Sequence, residues 1–338
     1  MSVLFATHPR FADHDSGPHH PERPARLGAV EAGIEAAGLG EAIVRVSAPP
    51  APDEALERVH PAAYRRSLQS FCETGGGYLD GDTHVVPASW EAARLAAGAG
   101  IDLAARLTAG EGEVGFCAVR PPGHHARPSR AMGFCLLNNV AITAADLAAR
   151  GERVLVVDYD AHHGNGTQEA FWTSGDVFYI SMHEWPLYPG TGRLEELGEG
   201  AGRGLTRNLP FPAGTTGDVY RRAVAEVVAP AVEAFGPTWL LISAGFDGHR
   251  RDPLTDLGLT AADLADVTSD LAAFAPVGRR LLFLEGGYDL EALAACTGAV
   301  LSALVDGGAY RPETPTSGGP GAEVCAAALN IGAATADE

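Results

Sequence analysis

Asp158, Asp160 and His162 alternate at a spacing of two in the segment Asp-Tyr-Asp-Ala-His. In an extended backbone, side chains at that spacing point to the same side. A carboxylate and an imidazole converging in this way suit a borderline metal such as zinc. Asp247, at the end of another apolar run, offers a third protein ligand. Two carboxylates and one histidine, with a coordination position left open, make a catalytic rather than a structural metal site. The competing reading is a turn that closes a strand, with the histidine simply hydrogen-bonded.

His124 and His125 follow Pro-Pro-Gly, so their backbone is held in a well-defined loop, where function tends to sit. Two imidazoles beside an activated water can divide the proton transfers of a hydrolysis. Each needs an orienting partner at its other nitrogen, and Asp158 and Asn165 are the natural candidates. Tyr288 lies in a Gly-Gly-Tyr turn. A phenolic O–H aimed at a developing oxyanion is a stabiliser, although a tyrosine there also suits plain loop packing. Gly133 and Phe134 follow the histidine pair closely, and Phe134 suits either the wall of a narrow slot or the core. The glycine runs at 198–204 and 75–77 carry neither a dinucleotide fingerprint nor a P-loop.

These residues need elements to hold them. Short apolar runs predict strands at Val3–Ala6, Ile43–Val46, Gly115–Val119, Val154–Asp158, Val177–His183, Leu205–Leu209, Trp239–Ser243 and Arg280–Leu284. Alanine-rich stretches between them predict helices, among them Ser89–Leu107, Leu136–Arg150, Asp218–Phe235 and Ala261–Phe274. Runs such as Val-Leu-Val-Val-Asp are apolar at successive positions, as in strands buried on both faces. Strands alternating with helices imply an α/β fold with a parallel sheet covered by helices on both faces. Ligands of such sheets sit beyond the carboxyl ends of the strands, and the polar clusters at Asp158, Asp247, Glu285 and His124 all follow strands.

The chain has 338 residues and a formal net charge of −19. All 24 cationic side chains are arginine. A duplex nucleic-acid binder needs a basic surface, so no direct nucleic-acid partner is expected. Five cysteines without a C-x-x-C spacing argue against a disulfide framework or a cysteine-based zinc site. The chain shows no signal peptide and no apolar run long enough to span a membrane, so a cytoplasmic location is expected.

The motifs together resemble the histone deacetylase superfamily, over roughly residues 1–310. The blocks are His20-Pro-Glu22-Arg-Pro-Ala-Arg26, Pro122-Gly-His-His125, Gly133-Phe-Cys135, Asp158 through Gln168, Pro189-Gly-Thr-Gly192, Ser243-Ala-Gly-Phe-Asp247, Asp252-Pro-Leu254 and Glu285-Gly-Gly-Tyr288. Asn165 resembles the class II branch. The resemblance implies an arginase/deacetylase fold with eight parallel strands. It implies a zinc ion at Asp160, His162 and Asp247, and a His124–His125 acid/base pair supported by Asp158 and Asn165. Tyr288 would polarise the carbonyl. Gly133, Phe134, Tyr188 and Leu254 would line the channel for an acyl-lysine-like chain. K⁺ or Na⁺ is implied at an inner site of Asp158, Asp160, His162, Ser181 and Met182, and at an outer site of Phe171, Ser174 and Val177.

The implied activity is removal of an acetyl or short acyl group from a lysine-like amine, on a peptide, a protein or an acylated polyamine. Leu254 argues mildly against polyamine selectivity. Asp80 or Asp82, on a loop at the mouth, or Glu22 would be the cation readers if polyamines were preferred. The catalytic domain is expected over 1–310, with a tail and short helix over 311–338. A dinuclear manganese ureohydrolase would need further bridging carboxylates, and Ala-His-His-Gly-Asn after Asp160 lacks them. A silent acyl-lysine-binding module has no need of the His pair or Tyr288.

Overall fold

Strands form where β-branched, aromatic and other apolar residues run together. The computed structural model describes residues 1–336. In chain order its strands are β1 Val3–Thr7, β2 Ile43–Ser47, β3 Gly77–Tyr78, β4 His84–Val85, β5 Val114–Cys117, β6 Val154–Asp158, β7 Val177–Glu184, β8 Thr206–Phe211, β9 Trp239–Ala244 and β10 Arg280–Leu284. Eight of them make one sheet in the order β2-β1-β5-β10-β9-β6-β7-β8. Every pairing in it is parallel. These are the eight expected strands, with ends moved by a residue or two. The remaining pair, β3 and β4, is a short antiparallel ribbon.

Side chains alternate between two core layers along each strand. Val3, Phe5, Leu155 and Val157 face the layer that holds helices Ala25–Ala36, Ala261–Ala272 and Leu290–Val305. Leu4, Ala6, Val154 and Val156 face the layer that holds helices Ser89–Thr108 and Asn139–Ala148. Burial on both faces is why β6 and β9 read as unbroken apolar runs.

Three helical expectations are corrected. The helix expected from Leu136 begins at Asn139, because Asn138 Oδ1 accepts the backbone N–H of Ala141 at 3.0 Å and caps it. The helix expected over Asp218–Phe235 contains a π turn at Val224–Val228. Pro230 has no N–H for the regular ladder, and the wider turn accommodates that gap. The segment after Arg311 ends in a helix of 15 residues, Ala322–Ala336, rather than a short piece. Val324, Cys325 and Ala328 of that helix enter the core. Residues 337 and 338 of the expected tail lie outside the described residues. Among the described residues, all five cysteines are free and buried, and no helix is long and apolar enough to cross a membrane.

His60 holds the start of the Asn139–Ala148 helix in place. Its Nδ1 donates to the carbonyl of Pro128 at 3.0 Å, and its Nε2 accepts the backbone N–H of Asn138 at 2.9 Å. Both nitrogens are used by the neutral ring, and protonating Nε2 would remove the acceptor. Burial, with some help from Arg65, holds the imidazole down to about 4 from its ordinary 6.5. The unfolded chain therefore takes up this proton at a higher pH than the folded one, so the stabilisation is complete above pH 6.5 and is lost as pH falls toward 4. The stability advantage of the native protein over His60→Gln should shrink by about 2 kcal/mol between pH 6.5 and 4.5. Urea unfolding across that range measures it, and a constant difference would contradict the assignment.

Candidate active site

Four strands that are neighbours in the sheet, β5, β10, β9 and β6, end at one edge. Their extensions deliver, in that order, the His124–His125 loop, the Glu285–Tyr288 turn, Asp247 and the Asp158–His162 segment. Chemistry spread over 165 positions of sequence, from 124 to 288, is thereby gathered beyond adjacent strand ends.

Asp160, His162 and Asp247 bring one ligand atom each to within 4.8 Å of one another, and all three are buried. His162 Nδ1 lies 3.2 Å from Asp160 Oδ1 and 2.9 Å from Asp247 Oδ2. Backbone N–H groups fix the carboxylates from outside: His162 N and Gly286 N donate to Asp160, and Ala161 N donates to Asp247. A Cβ on Gly245 would stand 2.1 Å from Asp160 Oδ2, and one on Gly286 would stand 2.2 Å from Asp247 Oδ2. Glycine at these two positions lets the backbone close around the carboxylates. Hard oxygens and one imidazole nitrogen at this spacing fit a borderline divalent metal.

The electrostatics agree with a centre built for a cation. Burial works against both carboxylates as anions. In Asp160 the neighbouring imidazoles His124, His162 and His125 outweigh it and push its pKa down. In Asp247 burial and Asp160 prevail over His162 and push it up. Burial opposes charge on His162 too, but Asp160 and Asp247 lift it well above 6.5.

The histidine pair is asymmetric. His124 Nδ1 donates to Asp158 Oδ2 at 3.0 Å, and its Nε2 lies 3.8 Å from Asp160 Oδ1. Burial opposes its charge, yet Asp160, Asp158 and Glu285 lift it to about 10. His125 Nδ1 donates to Asn165 Oδ1 at 2.8 Å. Burial, then His124 and His162, hold His125 well below 6.5. One imidazole is thus cationic and the other neutral, with the free Nε2 of His125 as a proton acceptor. A Cβ on Gly133 would stand 2.5 Å from the His125 ring, which explains glycine there.

Next to these groups is a cavity of about 390 Å³. Its lining includes Gly133, Phe134, Tyr188 and Leu254, named above for the channel, and Asp82, named for the mouth, together with His125, His162 and Tyr288. Tyr188 and Leu254 are 40% and 39% exposed, whereas His125 and His162 are 4% and 9%. The mouth is therefore at Tyr188 and Leu254, and the polar groups are at the bottom. Phe134 has φ 68°, a left-handed backbone that only surrounding structure maintains in a bulky residue. Thr83 Oγ1 accepts its backbone N–H at 3.1 Å, and its ring meets those of His20 and Tyr288. Burial raises the Tyr288 hydroxyl well above 10, so it remains a proton donor at neutral pH.

Of the inner group of expected cation ligands, Asp158 stands opposite Ser181 in the register of β6 and β7, with Met182 next to it in β7. Phe171, Ser174 and Val177 lie on the connection into β7, where the Ser174 N–H donates to the Phe171 carbonyl at 3.0 Å. Two mouth candidates are corrected. Glu22 is fully buried, ion-paired with Arg120 and hydrogen-bonded by Arg26, so it cannot read a substrate cation. Asp80 Oδ1 is occupied by the backbone N–H groups of Asp82 and Thr83, a turn role.

Sequence reading missed the supports. Glu285 Oε2 accepts the backbone N–H groups of Gly123 and His124 and so fixes the histidine loop. Arg26 donates to the carbonyls of Glu285 and Gly287 and lies 5.1 Å over the Tyr288 ring. Asp252 Oδ2 accepts the backbone N–H of Tyr288 at 2.7 Å. A charged residue inside an otherwise apolar or glycine-rich motif was the available signal, but its partner lies far away in sequence.

A protein-family model described as the histone deacetylase domain matches residues 20–304. The chain is 40% identical over 321 residues to a probable deacetylase of Archaeoglobus fulgidus, covering 90% of this chain and 89% of that protein. It is 38% identical over 291 residues to a histone deacetylase-like amidohydrolase of Pseudomonas aeruginosa, covering 84% and 77%. Of solved structures, the HDA15 HD domain superposes with a TM-score of 0.90 at 37% identity, covering 98% of this chain and 94% of that one.

Gly286→Ala places a methyl group against Asp247 and Asp160. It should lower divalent-metal affinity by roughly 10- to 100-fold, the usual effect of disturbing groups that orient metal ligands. Calorimetric titration with zinc measures this, and native affinity in the folded variant would refute the cradle.

Proposed function

The chain belongs to the histone deacetylase family, and from that premise we propose that it is a zinc-dependent amidohydrolase acting on acyl-lysine side chains or amines of similar shape. One observation carries the reading: a single cavity joins an apolar entrance to a buried floor of His125, His162 and Tyr288. A linear acyl-amine fits that sequence of surfaces, with methylenes along Phe134 and the amide at the floor. Apolar walls also exclude bulk water and strengthen electrostatic contacts inside.

Asp160, His162 and Asp247 would hold zinc, which when bound supplies Lewis-acid polarisation of the amide carbonyl and acidifies an adjacent water. His125, neutral and oriented by Asn165, takes a proton from that water at Nε2. The water oxygen bonds to the carbonyl carbon, and Tyr288 donates its O–H to the oxygen that gains charge. The C–N bond then breaks, and the proton returns from His125 to the leaving amine, giving a carboxylic acid and a free amine. His124 keeps its charge throughout and stabilises the negative charge nearby. K⁺ or Na⁺ beside Asp158, Ser181 and Met182 would balance the remaining carboxylate charge. Acyl-lysine peptides or proteins are the proposed partners, and Leu254 at the mouth favours them over acylated polyamines.

The test is a parallel assay of zinc-loaded protein on an acetyl-lysine peptide and on acetylated spermidine, with a hydroxamate control. Hydroxamate-sensitive peptide turnover is expected, and failure on both substrates would overturn the reading. Tyr288→Phe should lower kcat by about 10²- to 10³-fold, as loss of one oxyanion donor does. An unchanged kcat would remove Tyr288 from the reaction.

A further inference from the structure

The match to the histone deacetylase domain ends at residue 304, and Glu313 lies beyond it. Its carboxylate nevertheless reaches back to the loop that follows Asp247. Glu313 Oε2 accepts from His249 Nε2 at 2.7 Å and from the backbone N–H of Ala261 at 2.9 Å. Glu313 Oε1 accepts from Arg250 Nη2 at 3.0 Å. His249 is 1% exposed, and its Nδ1 accepts the backbone N–H of Arg251 at 3.2 Å. The ring proton therefore sits on Nε2, facing Glu313.

His249 and Ala261 are the two stems of the loop over residues 250–260, and one carboxylate oxygen closes both. The stems also meet directly, through a His249–Leu259 bridge and the Arg250 N–H on the Leu259 carbonyl. Within the loop, the Asp252 N–H donates to the His249 carbonyl at 2.8 Å. Asp252 in turn accepts the backbone N–H groups of Leu254 and Tyr288. Glu313 is thus linked through His249 and Asp252 to the mouth and to Tyr288. The segment that carries it is itself anchored. The Thr314 carbonyl accepts from Thr260, and Thr316 bonds to the buried Asp263.

We propose that Glu313 is a positioning residue for hydrolysis, which clamps the loop carrying Asp252 and Leu254 and so sets Tyr288. This rests on the functional reading above. Glu313→Gln keeps the volume and removes the charge that gathers His249, Arg250 and Ala261. It should lower kcat/KM on the acetyl-lysine peptide by about 10-fold per folded molecule, a loss typical of small misplacement in a site. It should also speed amide hydrogen exchange over residues 248–259. Arg311→Gln breaks a different contact of the same segment, with Asp266, and should change neither quantity. Should Glu313→Gln not fold, Glu313→Asp carries the same test with a smaller expected loss. Native kcat/KM and native exchange in the Glu313 variant would overturn the proposal, as would an equal loss in Arg311→Gln. If the native protein hydrolyses no acyl-amine, the functional reading fails, and the exchange data still decide on the clamp.

Discussion

Two buried carboxylates that share one imidazole within hydrogen-bonding distance need positive charge beside them. Burying an isolated carboxylate is costly enough that it pairs, protonates or binds a metal. Asp160 pairs with His124 and His162, and Asp247 with His162. At Glu22 buried charge is answered by arginine: Arg120 holds it down at about 2 against the burial that opposes it. Around Asp160 and Asp247 the partners are titratable rings instead. The rest of the edge serves that choice, with glycines where carboxylates crowd the backbone and main-chain N–H groups aimed at the outer oxygens.

The sheet makes this arrangement rigid. Ligands come from the ends of β6 and β9, paired strands whose register sets Asp158 beside Ser243. The histidine loop and the tyrosine turn come from β5 and β10, also paired. Glu285 then ties these last two together through the backbone of Gly123 and His124. The same fold side by side supplies opposite protonation states, because His124 faces carboxylates and His125 faces an amide and two imidazoles. Burial and the two neighbouring imidazoles keep His125 neutral, while Asn165 orients its ring without adding charge.

Much of this was legible in the sequence. Fully buried strands leave continuous apolar runs, so the eight strands could be located, and the polar residues at their ends marked the chemistry. Strand order was not legible, since parallel pairing leaves no local trace, and only the sheet shows that the four chemistry-bearing strands are neighbours. Glu22 looked like a mouth residue because it stands in a polar motif near His20, but its partner Arg120 lies 98 positions away. Asp80 and Asp82 were indistinguishable by type, and a turn hydrogen bond separates their roles. The β3–β4 ribbon is too short to show alternation. Glu313 sits in a tail of Pro, Gly, Ser and Thr whose composition does not say whether it packs, and its hydrogen bonds fasten it to the domain.

On the proposed function, Asp160, His162 and Asp247 together would hold one catalytic metal. Anomalous X-ray diffraction at the zinc edge, on crystals of zinc-reconstituted protein, tests it most directly. One strong peak bonded to all three side chains is expected, and it should be lost in Asp247→Asn. A peak at any other residues, or none while the three side chains stand as described, would contradict it.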